Sequence, residues 1–335
     1  MHKSTDLENR LNLLAKTKRI LRKLATTLVS TILCASILFG ADYYLHRKHG
    51  INFSGYRGPA LGQKQPGEKR VAILGGSTTW GFGLRVGQDF PAQLQAQLDQ
   101  GPGPATASIK ILNLGFNGDG AYSLRYTLKD YDHLQPDAVV LYSGYNDLSG
   151  PNFYVFRHRS PVFGWTGYLP LLPELTVDKL SVWIQRLTGH NEKVVFQPPE
   201  LSQNSPEALP KRLGPANSWN QKSAESSSAV TVPQEWQFYC DQVYETVQMA
   251  LQSGKRVLIV TEPYISDQHV AQQKALETMI QMRFPNQTHL RYLNLGRTVD
   301  LRDKSLCWDG MHLTEEGNRR IAGALRQPVS DLLQN

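Results

Sequence analysis

The sequence predicts an α/β protein in which helices cover both faces of a parallel β-sheet, preceded by one apolar N-terminal helix. Short apolar runs rich in β-branched residues recur along the chain, and each is followed by a turn and an amphipathic stretch. Strands buried on both faces have this composition, and their alternation with helices implies parallel pairing through crossovers. A charge-free segment close to the N-terminus predicts the separate helix.

The basic charge of the chain is concentrated at its N-terminus. The 335 residues are 40% hydrophobic and 19% charged, as in globular proteins, with a formal net charge of +7. Residues 1–48 contain nine Lys and Arg against three Asp and Glu, a net charge of +6, which leaves +1 for residues 49–335. Since the main body is nearly neutral, we expect no nucleic-acid partner.

Residues 24–45 have the features of a transmembrane signal anchor. Leu24–Ala41 carries no charge, and its 18 residues would rise about 27 Å as a helix, close to the roughly 30 Å of bilayer hydrocarbon. Basic residues precede it, and Tyr43 and Tyr44 follow where an interfacial aromatic belt would lie. The positive-inside rule therefore predicts a cytoplasmic basic tail over residues 1–23 and an extracytoplasmic remainder, periplasmic or at the cell surface. A cleaved signal peptide is one alternative, although no small-x-small site ends the apolar run, and a buried core helix is another.

A Gly-, Pro- and Lys-rich segment, residues 46–68, is predicted to be a linker to one domain over residues 69–335. The apolar runs that predict its strands are Val71–Leu74, Ile109–Leu114, Ala138–Tyr142, Val257–Thr261 and Leu290–Leu295. The amphipathic stretches that predict its helices are Phe90–Leu98, Tyr122–Asp130, Gln234–Gln252, Asp267–Met282 and Glu315–Leu333. Catalytic and binding sites form at the C-terminal ends of the strands in such sheets.

One insertion, residues 149–233, interrupts the alternation. Long insertions at strand ends often form lids or substrate walls. Its aromatic first part, residues 151–187, is predicted to be a structured cap with a short helix over Val177–Leu187. The polar residues 198–233 are predicted to be a loosely ordered surface excursion.

The cysteine and histidine patterns give no support for a metal site. Cys34 lies in the predicted anchor, and the exported Cys240 and Cys307 could form a disulfide or remain two free thiols. The sequence contains no CxxC and no HExxH motif, and its histidines are scattered.

Three interpretations compete at Gly75–Gly81, which follows the first predicted strand with the sequence GGSTTWG. A phosphate-binding Walker loop requires Lys after Gly81, where Phe82 stands. A dinucleotide fingerprint requires G-x-G-x-x-G, which the glycines here do not form. The third interpretation is a nucleophilic Ser77 that projects from the sheet edge and needs a base and an oxyanion hole elsewhere.

The base is predicted at Asp309-Gly310-Met311-His312, just before the last helix. A carboxylate three residues before a histidine can accept the imidazole Nδ1–H, which fixes the tautomer and leaves Nε2 free to take a proton from a serine. By itself, an Asp-x-x-His pair is usually a surface hydrogen bond. Its place after the last predicted strand makes it a candidate partner for Ser77.

Two candidate oxyanion donors follow the second and third predicted strands. Gly115 in NLGFNG could offer a backbone N–H, and Asn146 in SGYND could offer its side-chain amide. Each alone is an ordinary turn residue. Together with Ser77 and His312, however, they occur in the order Ser, Gly, Asn, His at successive strand ends.

With these four blocks the chain resembles the SGNH hydrolases, also called GDSL-type esterases and lipases, as a bacterial membrane-anchored GGS variant. The resemblance extends from about Lys69 to Leu332 apart from the insertion, with Gly76 where the family motif has Asp. It implies a three-layer α/β/α sandwich with a five-stranded parallel sheet in the flavodoxin-like order 2-1-3-4-5.

The resemblance also implies the role of each block. Ser77 would be the nucleophile, His312 the general base and Asp309 the residue that orients the base. The Ser77 N–H, the Gly115 N–H and the Asn146 side chain would form the oxyanion hole.

The function that the resemblance implies is a cofactor-independent carboxylic-ester hydrolase that works through an acyl-enzyme. We expect a deacylase, such as an acetylesterase, of an envelope or extracellular polysaccharide. A lysophospholipase or thioesterase, acting on a lipid substrate, and an acyltransferase are the alternatives within the same chemistry. A non-catalytic polysaccharide-binding component of an envelope assembly is the alternative of another class.

Overall fold

The computed structural model describes residues 2–100, 108–173 and 231–334. These divide into two compact units, one formed by residues 2–48 and 170–173 and the other by residues 49–100, 108–169 and 231–334. The predicted helix Val177–Leu187 and most of the polar tract 198–233 lie outside the described residues.

The larger unit contains a five-stranded parallel sheet in the order β2-β1-β3-β4-β5. The strands are β1 (Lys69–Gly75), β2 (Ile109–Asn113), β3 (Ala138–Tyr142), β4 (Arg256–Val260) and β5 (Leu290–Leu293). All five residues of β3 are buried, because this central strand is covered on both faces. The predicted fold class and strand order are confirmed.

Helices pack in two groups against the sheet, α3 with α9 and α4 with α7. The helices are α1 (His2–His49), α2 (Ser77–Trp80), α3 (Phe90–Asp99), α4 (Ala121–Asp130), α5 (Phe156–Arg159), α6 (Pro161–Thr166), α7 (Gln237–Gln252), α8 (Asp267–Arg283) and α9 (Glu315–Gln334). Local signals set several helix starts, as at α3, where the Asp89 carboxylate accepts the Ala92 N–H at 3.1 Å. All five predicted helices occur, with bounds within three residues of those predicted.

The smaller unit contains α1, a single helix that extends through the predicted tail, the anchor and the first residues of the predicted linker. Its segment Lys16–His49 has a mean hydropathy of 1.9 over its most apolar window, none of which is buried. By length and composition this segment could cross a membrane, but a signal sequence has the same features. Within the last turns of the predicted anchor, Asp42 is buried and accepts the Leu171 and Leu172 N–H groups at 2.8 and 2.5 Å. The helix therefore contacts residues 171 and 172 of its own unit at Asp42, while the neighbouring Tyr43 and Tyr44 remain exposed.

Part of the predicted linker is packed into the larger unit, which begins at residue 49. Tyr56 and Arg57 are 1% and 5% exposed. The Arg57 guanidinium donates to the Trp80 carbonyl at 2.9 Å and the Gly81 carbonyl at 3.0 Å, and it pairs with Asp89 at 3.2 Å. These residues of the predicted linker are therefore packed on the domain, because Gly and Pro also shape turns of this kind.

The cysteines are free thiols, Cys240 and Cys307 in buried positions and Cys34 exposed. Of the two alternatives at Cys240 and Cys307, the structure contains the unpaired one.

Replacement of Arg57 by Met tests the buried ion pair. Burial raises the pKa of Asp89, and the Arg57 charge opposes that rise. Because the substitution leaves a buried carboxylate without its cation, we expect the free energy of unfolding to fall by about 3 kcal/mol.

Urea unfolding of the detergent-solubilised chain measures the loss. The exposed Arg85 is the matched control, and its replacement by Met should change the stability by less than about 0.5 kcal/mol. Equal losses in the two variants contradict a special role for the pair.

Candidate active site

The predicted site residues lie at one edge of the sheet. Ser77 begins α2 directly after β1, Gly115 follows β2 and Asn146 follows β3. Since β1 lies between β2 and β3 and all three run parallel, their C-terminal ends meet at this edge. The short loop before α9 brings Asp309 and His312 to the same place.

Ser77, His312 and Asp309 form a continuous hydrogen-bonded chain. His312 Nε2 lies 2.9 Å from Ser77 Oγ, although the two residues are 235 positions apart. His312 Nδ1 lies 2.6 Å from Asp309 Oδ2. With Nδ1–H donating to the carboxylate, Nε2 is left as an acceptor for the serine proton.

The Asp309 carboxylate is held by more than the imidazole. Its Oδ1 accepts the Met311 N–H at 3.0 Å and the His312 N–H at 2.7 Å. Partial burial acts to raise the pKa of Asp309, but the hydrogen bonds from His312 and Met311 outweigh it and lower the pKa. The group therefore stays ionised at the pH at which a neutral imidazole can act as a base.

Glycines stand on both sides of the turn that carries Ser77. Gly81 ends the one-turn helix α2 in the left-handed region, with φ of 82°. A Cβ at Gly76 would lie 2.4 Å from Asn146 Nδ2. The absence of a side chain at Gly76 therefore leaves room for the Asn146 amide. Gly76 stands at the position where the family motif has Asp.

The two candidate oxyanion donors are engaged differently. Asn146 Nδ2 donates one hydrogen to the Asp119 carbonyl at 2.8 Å, and the amide has a second hydrogen. Gly115 packs so closely on α2 that a Cβ would lie 2.6 Å from Thr79 Cβ. Its N–H donates to Asn113 Oδ1 at 3.1 Å. The structure thus places Asn146 beside the Ser77 turn, whereas the Gly115 N–H already has an acceptor.

Buried polar side chains hold the Ser77 turn through its backbone carbonyls, and the sequence patterns did not predict them. Arg57 binds the carbonyls at the end of α2. Asn113 Nδ2 donates to the Thr79 carbonyl at 2.9 Å and to Asp89 Oδ1 at 3.0 Å. The signal for Asn113 was its place at the end of a strand; Arg57 gave none, since its segment has the composition of a linker.

Two aromatic side chains flank the imidazole and were also missed. The ring centroids of Phe82 and Trp308 lie 4.7 and 5.5 Å from that of His312. The two rings are nearly parallel to one another, with an interplanar angle of 17° and centroids 6.0 Å apart. Their exposed fractions are 42% and 44%, so each leaves ring surface open beside the base.

The first part of the insertion supports the same loops. Arg157 in α5 is 2% exposed and donates to the Leu114 carbonyl at 2.6 Å, directly before Gly115. It also contacts Asp119 Oδ2 at 3.5 Å. Burial raises the pKa of Asp119 to about 7, and Arg157 opposes that rise. The part of the predicted cap that lies in the larger unit, residues 151–169, is therefore tied to the site through a buried cation.

Comparisons with known proteins identify the family. The family model described as GDSL-like Lipase/Acylhydrolase matches residues 71–325. A search of curated proteins found no match.

Several solved structures are similar. One is a family 3 carbohydrate esterase from Clostridium thermocellum, with 14% identity over 79% of this chain and 98% of that chain and a TM-score of 0.42. Another is the psychrotrophic esterase EstA from Pseudoalteromonas sp., with 11% identity over 80% and 100% of the two chains and a TM-score of 0.42. A third is a mutant of Axe2, an acetyl-xylooligosaccharide esterase from Geobacillus Stearmophilus, with 14% identity over 79% and 95% and a TM-score of 0.44. Because the family model spans most of the chain and the sheet has the order expected of the SGNH hydrolases, the protein belongs to the GDSL-like lipase/acylhydrolase family and is a carboxylic-ester hydrolase.

Proposed function

We propose that the protein hydrolyses esters through an acyl-enzyme on Ser77, with His312 as the general base and Asp309 as the residue that orients it. The observation that carries this proposal is the unbroken chain from Asp309 Oδ2 through the imidazole to Ser77 Oγ, with distances of 2.6 and 2.9 Å. Such a chain activates a hydroxyl that is otherwise a weak nucleophile at neutral pH.

The reaction then proceeds in two halves. Ser77 Oγ bonds to the ester carbonyl carbon as its proton passes to His312 Nε2, which gives a tetrahedral intermediate. The imidazolium returns that proton to the leaving alkoxide oxygen as the ester C–O bond breaks, and an acyl-serine remains. Water attacks the acyl-serine in the same way and releases the carboxylic acid and free Ser77.

The negative oxygen of each intermediate needs donors, and we assign the Ser77 N–H, the Gly115 N–H and the Asn146 amide to this role. The second hydrogen of the Asn146 amide and its closeness to Gly76 support the assignment of Asn146. Gly115 would have to share its N–H between the oxyanion and Asn113 Oδ1.

The substrate we propose is an acetylated polysaccharide of the cell envelope or the extracellular space. The open faces of Phe82 and Trp308 beside His312 support it, because the apolar C–H face of a sugar ring packs well on an aromatic ring. The same rings would also contact an acyl chain, so a lysophospholipid or a thioester is the second candidate substrate.

We also propose that residues 24–45 anchor the protein in a membrane, with residues 1–23 in the cytoplasm and the hydrolase domain outside. The long exposed apolar stretch of α1 and the basic residues that precede it support this topology. An extracytoplasmic domain would face the polymer that we propose as its substrate.

Replacement of Asp309 by Asn tests the role of the carboxylate. An amide can donate to Nδ1 and so favours the tautomer in which Nε2 carries the proton and cannot accept one from Ser77. We expect kcat to fall on the order of 10³- to 10⁴-fold with the fold intact. The control is Asp303→Asn, which alters an exposed carboxylate that bonds Ser305; a comparable loss there contradicts the assignment.

Replacement of Trp308 by Ala tests the substrate class. We expect kcat/KM for a peracetylated disaccharide to fall by about 10- to 100-fold, and that for ethyl acetate, which has no sugar ring, by less than about threefold. Acetate release by the full chain in detergent is measured, with Ser77→Ala as the blank and Trp165→Ala, in which a 93% exposed indole is removed, as the control. Equal losses on both esters contradict a sugar-stacking role, and acetate release by Ser77→Ala contradicts the proposed nucleophile.

A further inference from the structure

Glu262 is a buried carboxyl that the proposed reaction does not use. It lies two residues after the end of β4 and is 2% exposed. Its Oε1 accepts a hydrogen bond from Thr78 Oγ1 at 2.5 Å, and its Oε2 accepts the Tyr145 N–H at 2.9 Å. One carboxyl thus joins two segments that are distant in sequence, 184 and 117 residues away.

The two residues that Glu262 binds are each adjacent in sequence to a residue of the proposed catalytic site. Thr78 follows Ser77, and Tyr145 precedes Asn146. We propose that Glu262 is a positioning residue that fixes the Ser77 hydroxyl relative to the Asn146 amide by holding both turns on one rigid carboxyl. This inference rests on the proposed function of Ser77 and Asn146.

The surroundings of the Asn146 turn fit this role. The Tyr145 hydroxyl donates to the carbonyl of Pro263, the residue after Glu262, so the turn is held to the end of β4 at two points. Asp147 Oδ2, on its other side, accepts the Ala121 N–H at 2.9 Å. Of these contacts, the one through Glu262 continues to the Ser77 turn.

The chemistry of Glu262 also indicates a purpose beyond packing. Its hydrogen bonds in the described residues come from a hydroxyl and a backbone N–H, not from a basic side chain. The titratable groups that face it are Tyr142, Tyr145 and Asp147, which are neutral or acidic. Burial raises the pKa of Glu262 to about 7, while its two hydrogen bonds oppose the rise. Burial of a carboxyl without a basic partner is unfavourable, so its presence here is better explained by the two turns that it holds.

Variants at Thr78 and Glu262 distinguish the effect of losing the hydrogen bond between them from the effect of changing side-chain shape. Thr78→Val is nearly isosteric but loses the bond, so we expect kcat to fall by about 10- to 100-fold with KM changed less than twofold. Thr78→Ser keeps the hydroxyl and should retain kcat within about threefold of the wild type.

At position 262, Gln can accept from the Tyr145 N–H and donate to Thr78 Oγ1, and so should retain most of kcat. Glu262→Ala loses both contacts and should lose at least as much kcat as Thr78→Val.

The measurement is kcat per active site for the full chain in detergent, with active sites counted by fluorophosphonate titration. Thr246→Val is the matched control, since Thr246 is fully buried in α7 and its hydroxyl bonds the Gln242 carbonyl of the same helix. It should keep the kcat of the wild type. Because inactive, misfolded protein takes no label, kcat per labelled site does not depend on the fraction that folds. A residue with a purely structural role would change that fraction and leave kcat per labelled site unchanged.

Three outcomes overturn the inference: wild-type kcat in folded Thr78→Val and Glu262→Ala, a Thr78→Ser variant as slow as Thr78→Val, or losses confined to KM. A wild type that hydrolyses no ester and takes no label instead contradicts the proposed function itself. The two failures are therefore distinguishable.

Discussion

The placement of β1 between β2 and β3 is the constraint on which the site depends. The register pairs Ile73 with Asn113 and Gly75 with Tyr142, so the chain leaves the three strands at nearly the same level. Ser77, Gly115 and Asn146 follow within a few residues, which brings three segments of the chain to one small volume at the sheet edge. A change of strand order would separate them whatever their local sequences.

The same edge is stabilised by buried polar groups rather than by apolar packing alone. A helix of one turn such as α2 is unstable in isolation, because its nucleation cost is not repaid over four residues. Arg57 and Asn113 bind its terminal carbonyls, and Thr78 is bonded to Glu262 on the side of β4. These contacts hold the turn from which Ser77 Oγ lies 2.9 Å from His312 Nε2. In the proposed reaction, such preorganised geometry lowers the barrier.

Sequence patterns predict what is local. The β3 run Ala138–Tyr142 and the Asp309–His312 pair could be predicted because each is defined by neighbouring residues. Arg57 and Glu262 could not, since their partners lie elsewhere in the chain and a lone buried charge gives no periodic signal. The strand order came from the family resemblance, not from periodicity. Phe82 and Trp308 were missed because single aromatic residues are usually core, whereas here each remains about two-fifths exposed beside His312. The catalytic roles stay predictions.

The central claim is that the hydroxyl of Ser77, activated by His312, becomes covalently acylated. The most direct measurement is to treat the full chain in detergent with a fluorophosphonate and locate the adduct by mass spectrometry of its peptides. The account predicts one adduct, on Ser77, formed by the wild type, absent from Ser77→Ala and formed far more slowly by His312→Ala. An adduct on another residue, or a folded wild type that takes no label, would contradict it.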